Sequence, residues 1–300
     1  MAAEQTTRTG LKLGLISLAL VMAGFLGLFL FGPERVAPPN GSPSQTQAPV
    51  LLDVLKDPGT RAAVERLRAA SPATYAQLNT ATTFAHADGA DAQALSQLVL
   101  EALFSQFQTK ALALRSAESG EYHSIIEGFA EGLRQLEASD SDWCEGPKIA
   151  AYLTQNDEDL IPSLLSEFPY GSPQYDWAMS WMTTVLTVAK NAQDTPRRHL
   201  RPGLRDEAVL QEEGLALGSE QWALALQIAS FANAEGVSYR QMQEVIAGMD
   251  VCQLGIAVET VSARLPDEVR ARIWADLMPE IMVGNTPYVM WRITNYFFIG

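Results

Sequence analysis

Residues Tyr122–Leu136 read YHSIIEGFAEGLRQL. Within them Tyr122, Ile126, Phe129, Leu133 and Leu136 recur at alternating steps of four and three. That spacing places all five on one side of an α-helix and leaves the other side polar. No comparable stretch of the chain alternates apolar and polar residues with the period of two that a strand requires. The segment therefore sets the expectation for the whole body, which is an all-α fold built from helical hairpins.

The same helix carries two further rows at four-residue spacing. His123, Glu127 and Glu131 share one face. An imidazole with two carboxylates offers ligand types for Zn²⁺ or a similar ion, although a second helix must complete such a site. Gly120, Ser124, Gly128 and Gly132 form the neighbouring row. Each glycine costs a helix about 1 kcal/mol relative to alanine, so two in mid-helix imply close packing or a groove for another protein.

Outward from this helix the punctuation repeats. Asp57-Pro58 and Ser71-Pro72 place a capping residue before a first-turn proline. Ser219 precedes Glu220-Gln221-Trp222, with Gly236 as the matching terminator. The pattern predicts helices over 50–56, 61–70, 72–87, 91–117, 122–136, 147–155, 157–168, 173–192, 204–217, 219–235, 238–249, 252–264, 266–283 and 286–298. The stretch 194–203, DTPRRHLRPG, is polar and proline-bearing. It divides the body, residues 50–300, into two candidate lobes, 50–193 and 204–300.

Before the body lies a segment of different character. Residues 13–32 contain no charged side chain, and Ser17 is the only polar one. Twenty such residues at about 1.5 Å each match the roughly 30 Å hydrocarbon thickness of a bilayer. The run exceeds the roughly 7–15 residues of a signal-peptide core and lacks a well-placed cleavage site. It reads as a retained transmembrane helix. Arg8 and Lys12 in the tail 1–12 outnumber Arg35 beyond the span, which predicts a cytoplasmic N-terminus. Ala19, Ala23 and Gly27 step by four inside the span, a stripe through which membrane helices can oligomerise. Residues 33–49, PERVAPPNGSPSQTQAP, hold five prolines and form a linker too polar to bury a core. Together these features predict a single-pass protein of the inner membrane with a periplasmic body. The 16 arginines against 5 lysines agree with a GC-rich bacterial source.

Charge excludes one class of partner. With Glu4, Arg8 and Lys12 set aside, 34 acidic side chains face 19 basic ones, a net of −15. Nucleic acid is therefore not an expected ligand, because its binding depends on neutralised phosphates. The densest basic cluster comprises Arg197, Arg198, His199, Arg201 and Arg205. Guanidinium forks suit a carboxylate, a phosphate or an acidic partner loop. Cys144 and Cys252 are the only cysteines. In an oxidising compartment an isolated pair of this kind forms a disulfide. Trp143-Cys144-Glu145-Gly146-Pro147 reads as a packed corner, since no histidine is spaced to activate Cys144. The C-terminal PYVMWRITNYFFIG crowds Tyr288, Trp291, Tyr296, Phe297 and Phe298 into fourteen positions, as a last core helix or a contact surface.

The chain has no G-x-S-x-G elbow, H-E-x-x-H pair, phosphate loop or dinucleotide fingerprint. No cofactor is implied. The expected role is a protein-protein interaction or scaffold module in the cell envelope, bound to lipid through its N-terminal helix and to an envelope protein through its body. Two alternatives are an envelope enzyme with an unrecognised site and a sensor of anions or other small ligands.

Overall fold

Acidic and hydroxyl side chains at segment boundaries begin the helices by accepting the N–H groups that a first turn leaves unpaired. In the computed structural model Asp57 accepts from Thr60 N at 2.7 Å and opens α2 (Pro58–Ala70), which follows the short α1 (Val50–Val54). Asp91 accepts from Ala94 N and opens α4 (Ala92–Lys110), after α3 (Pro72–Ala87). Glu121 reaches back to the N–H of Glu118 at 2.8 Å and opens α5 (Ser119–Ala138). Next come α6 (Gly146–Leu153), α7 (Asp157–Glu167) and α8 (Pro173–Asp194), the last capped by Ser172. The order ends with α9 (Leu204–Ala216), α10 (Val251–Arg264), capped by Asp250, and α11 (Asp267–Met282). The structure describes residues 50–153, 157–218 and 247–283, and the single positions 220, 223, 285, 288, 289 and 292. No strand occurs among the described residues, and the fold is all-α. The helices expected over 219–235 and 238–249, with their Ser219 and Gly236 signals, fall almost wholly outside the described residues. So do the span 13–32, with Ala19, Ala23 and Gly27, the linker 33–49 and most of 286–298. No described helix is long and apolar enough to cross a membrane.

Two local readings need correction. The helix expected over 91–117 ends at Lys110, and Ala111–Ser116 tightens into a 3-10 turn. There Ala111 and Leu114 are buried, Leu112 is exposed, and Tyr122 donates its hydroxyl to Leu114 O. Ser71 does not cap α3 with its side chain. Its hydroxyl donates instead to Gln106 Oε1 on α4, while Pro72 holds the first helical position.

The dominant packing joins helices far apart in sequence. α8 lies against α2 and α5, α10 lies along α5, and α11 covers the 3-10 turn and α5. Aromatic donors set the α5–α8 seam. The indoles of Trp177 and Trp181 donate to Gly128 O at 2.7 Å and Ile125 O at 2.9 Å. At the α5–α10 contact, a Cβ added to Gly255 of α10 would sit 2.1 Å from Leu133 Cδ1. Arg270 of α11 is 9% exposed and donates to the carbonyls of Ser262, Ala263 and Leu265. It thereby closes the C-terminal end of α10, where a cation meets the unpaired carbonyls and the negative end of the helix dipole. Among the described residues, buried side chains on both sides of 194–203 belong to one core.

Candidate functional site

Cys144 and Cys252 are bonded, with their Cα atoms 4.9 Å apart and 108 positions between them. The local chain brings them together. Ser141 starts a 3-10 turn over Asp142–Cys144, and Glu145 then pairs in antiparallel fashion with Asp250. Gly146 N donates to Met249 O at 3.0 Å. Trp143 fills the corner, with its ring 4.9 Å from that of Phe168. Lys148 lies over the indole and pairs with Asp142 and Glu167, whose carboxylates hold its ammonium pKa above the usual value. Asp250 approaches both sulfurs. With the sulfurs joined to each other and Asp250 occupied as a helix cap, this trio is a structural brace.

The glycine row is occupied by the protein itself. A Cβ at Gly132 would meet the Trp177 ring at 1.8 Å. Gly128 accepts the Trp177 indole proton, and its own missing Cβ faces Trp181 at 3.5 Å. Gly120 and Ser124 are exposed at the start of the helix. The need for glycine is close helix packing, and the groove is filled by α8.

His123, Glu127 and Glu131 stay along one edge of α5 without converging. His123 Nε2 is 3.9 Å from Glu127 Oε2, and Glu131 turns to Arg134 at 3.8 Å. No further described carboxylate, histidine or cysteine joins them at metal-binding distance. Between α5, α8, α10 and α11 lies an apolar cavity of about 20 Å³, lined by Ile126, Phe129, Trp181 and Met278 among others. Its volume is about that of one water, against hundreds of Å³ for a small-molecule site.

Two carboxylates that the spacing did not single out have perturbed acidity. Asp176, in the first turn of α8, has its pKa raised by burial and then by the charge of Asp57, and its Oδ1 has no hydrogen-bond partner among the described residues. At Asp206, burial pushes the pKa up. The guanidinium of Arg272, bonded at 2.8 and 3.0 Å, and the N–H of Gly203 together outweigh that and hold it below the usual value. Asp176 and Asp206 belong to different clusters, and neither lines the cavity between α5, α8, α10 and α11.

The basic segment is held at a few points. Arg197 N donates to Ser116 O at 2.9 Å, and its guanidinium pairs with Glu118. His199 Nε2 meets Ala117 O at 2.7 Å, and its ring stands edge-on to Tyr122. Pro202 and Asp206 are buried. Between these anchors Arg198, Leu200, Arg201, Leu204 and Arg205 are exposed. The three arginines form no ion pair with a described residue. Leu200 and Leu204 are 79% and 74% exposed, the two most exposed large apolar side chains described. The charge cluster was legible in the sequence. The two leucines were not, because Leu200 lies in a loop and Leu204 at the first position of α9, where there is no preceding period from which to read a face.

No family model, curated protein or solved structure matches this chain.

Proposed function

We propose that this chain is a membrane-tethered helical module of the bacterial cell envelope that works through contact with another protein. Residues 13–32 hold it in the inner membrane with the tail 1–12 in the cytoplasm, residues 33–49 act as the tether, and the helical body lies in the periplasm. The observation that carries this reading is the Cys144–Cys252 bond in a chain with no other cysteine. Such a bond persists in an oxidising compartment and is reduced in the cytosol. The 20 Å³ apolar cavity and the separation of the perturbed carboxylates favour an interaction role over catalysis. A scaffold needs a rigid body more than a pocket. The crosslinked corner, the indole-filled seam and the Arg270 closure of α10 supply one.

The experiment is site-specific photocrosslinking of the full-length chain in intact cells, from positions on the exposed faces of α3 and α9, with identification of the adducts. The reading predicts a recurrent envelope protein captured from a contiguous set of positions. Adducts scattered over unrelated proteins, or a chain that leaves the membrane fraction in alkaline carbonate, contradict it.

A further inference from the structure

We infer that the ridge formed by Arg198, Leu200, Arg201, Leu204 and Arg205 docks the helical body onto an anionic bilayer surface and sets its orientation there. The inference rests on the tethered reading above. No acidic residue lies between Asp194 and Asp206. Asp194 is paired with Lys190, and Asp206 is turned inward onto Arg272. The ridge is thus a positive strip on a body of net charge −15, and the rest of that body is repelled by anionic headgroups.

The leucines favour a bilayer as the occupant. Leu200 and Leu204 stand largely in water in a segment rich in guanidinium groups, and no described residue covers them. At a headgroup layer such leucines enter the acyl boundary while arginine stems lie along it and keep their charges in the polar zone. The backbone that presents them is held by Arg197 and His199 against Ser116–Glu118 and by the buried Pro202, so docking requires no folding of a free loop. The same 3-10 turn exposes Leu112 at 69%.

Reach is sufficient. The seventeen residues from 33 to 49 span at most about 55 Å when extended. A body of about 250 residues is roughly 45 Å across by the usual size scaling. Any face of it can therefore meet the bilayer that holds residues 13–32.

The test is hydrogen exchange of the full-length chain in proteoliposomes, comparing pure phosphatidylcholine with phosphatidylcholine containing about a third phosphatidylglycerol. Anionic vesicles should slow exchange over residues 196–206 on the order of 100-fold, at about fivefold for each arginine. High salt should weaken this protection. Combined Arg198→Glu, Arg201→Glu and Arg205→Glu should abolish it without releasing the chain. Leu200→Ser with Leu204→Ser should reduce it while the charges remain. Equal exchange in both vesicle types, with the chain still bound, overturns the docking. Protection on neutral vesicles by added poly-glutamate, equal to that on anionic ones, also overturns it and assigns the ridge to an acidic protein. A chain that floats only with anionic vesicles keeps the docking and refutes the tether.

Discussion

The seam between α5 and α8 and the ridge at 197–206 contrast in how their side chains are used. In the seam the indoles of Trp177 and Trp181 enter the space left by Gly128 and Gly132 and donate to α5 carbonyls. In the ridge only some positions are engaged. Arg197, itself exposed, pairs with Glu118, His199 meets Ala117 O, and Pro202 and Asp206 are buried, while three arginines and two leucines face water. The first arrangement determines shape. The second holds a set of interacting groups ready without using them in the fold. Substitutions in the seam should therefore cost stability, and those on the ridge should cost almost none.

The largest expected effect is at the brace. Removing the disulfide with Cys144→Ala and Cys252→Ala releases a loop of 108 positions and should lower stability by about 4–5 kcal/mol in the chain-entropy description. Urea unfolding of the two proteins measures it. Next is Gly132→Ala, whose methyl group collides with the Trp177 ring. Overpacking of this kind should cost about 3 kcal/mol, visible as a lower unfolding midpoint and changed near-ultraviolet circular dichroism.

Asp206→Asn should cost about 2 kcal/mol at neutral pH by weakening a charge-assisted pair with Arg272. The sign with pH follows from the depressed folded pKa. The stabilisation is present above the unfolded value near 3.8 and is lost as pH falls through the lower folded value. The mutant and parent stabilities should converge in acid.

Asp176→Asn should act in the opposite direction and more weakly. The raised folded pKa favours the protonated form, so its benefit is complete below the unfolded value near 3.8 and is lost as pH rises through the folded value. At neutral pH the ionised carboxylate costs stability. The amide should therefore stabilise the protein at pH 7, with the gain shrinking on acidification in paired thermal melts. Smallest of all, Arg198→Ser with Arg201→Ser should change stability by no more than about 0.5 kcal/mol. A loss comparable to that of Gly132→Ala would show that the ridge belongs to the fold, and the contrast would fail.

Much of the fold is readable from residue order alone. The stripe from Tyr122 to Leu136 identifies α5, and all five of its residues are buried. The boundary marked by Asp57-Pro58 coincides with a helix start because a cap and a proline act locally. The break at Lys110 is not visible in this way, since the 91–117 run stays helix-forming throughout. Its end depends on tertiary contacts of Leu114 with Tyr122 and α11. Gly128 and Gly132 signalled a close approach, but the partner lies about fifty positions away and only folding identifies it. The ridge divides the same way: its charges are a matter of composition, whereas its outward leucines depend on which carbonyls Arg197 and His199 engage.

The most direct test of a membrane-held, oxidised helical body is peptide mass spectrometry of the chain from carbonate-washed membranes of cells alkylated before lysis. The account predicts that chains retaining residues 13–32 carry a Cys144–Cys252 crosslinked peptide with neither thiol alkylated. Recovery of a chain that begins beyond residue 32, or of both cysteines in alkylated form, would contradict it.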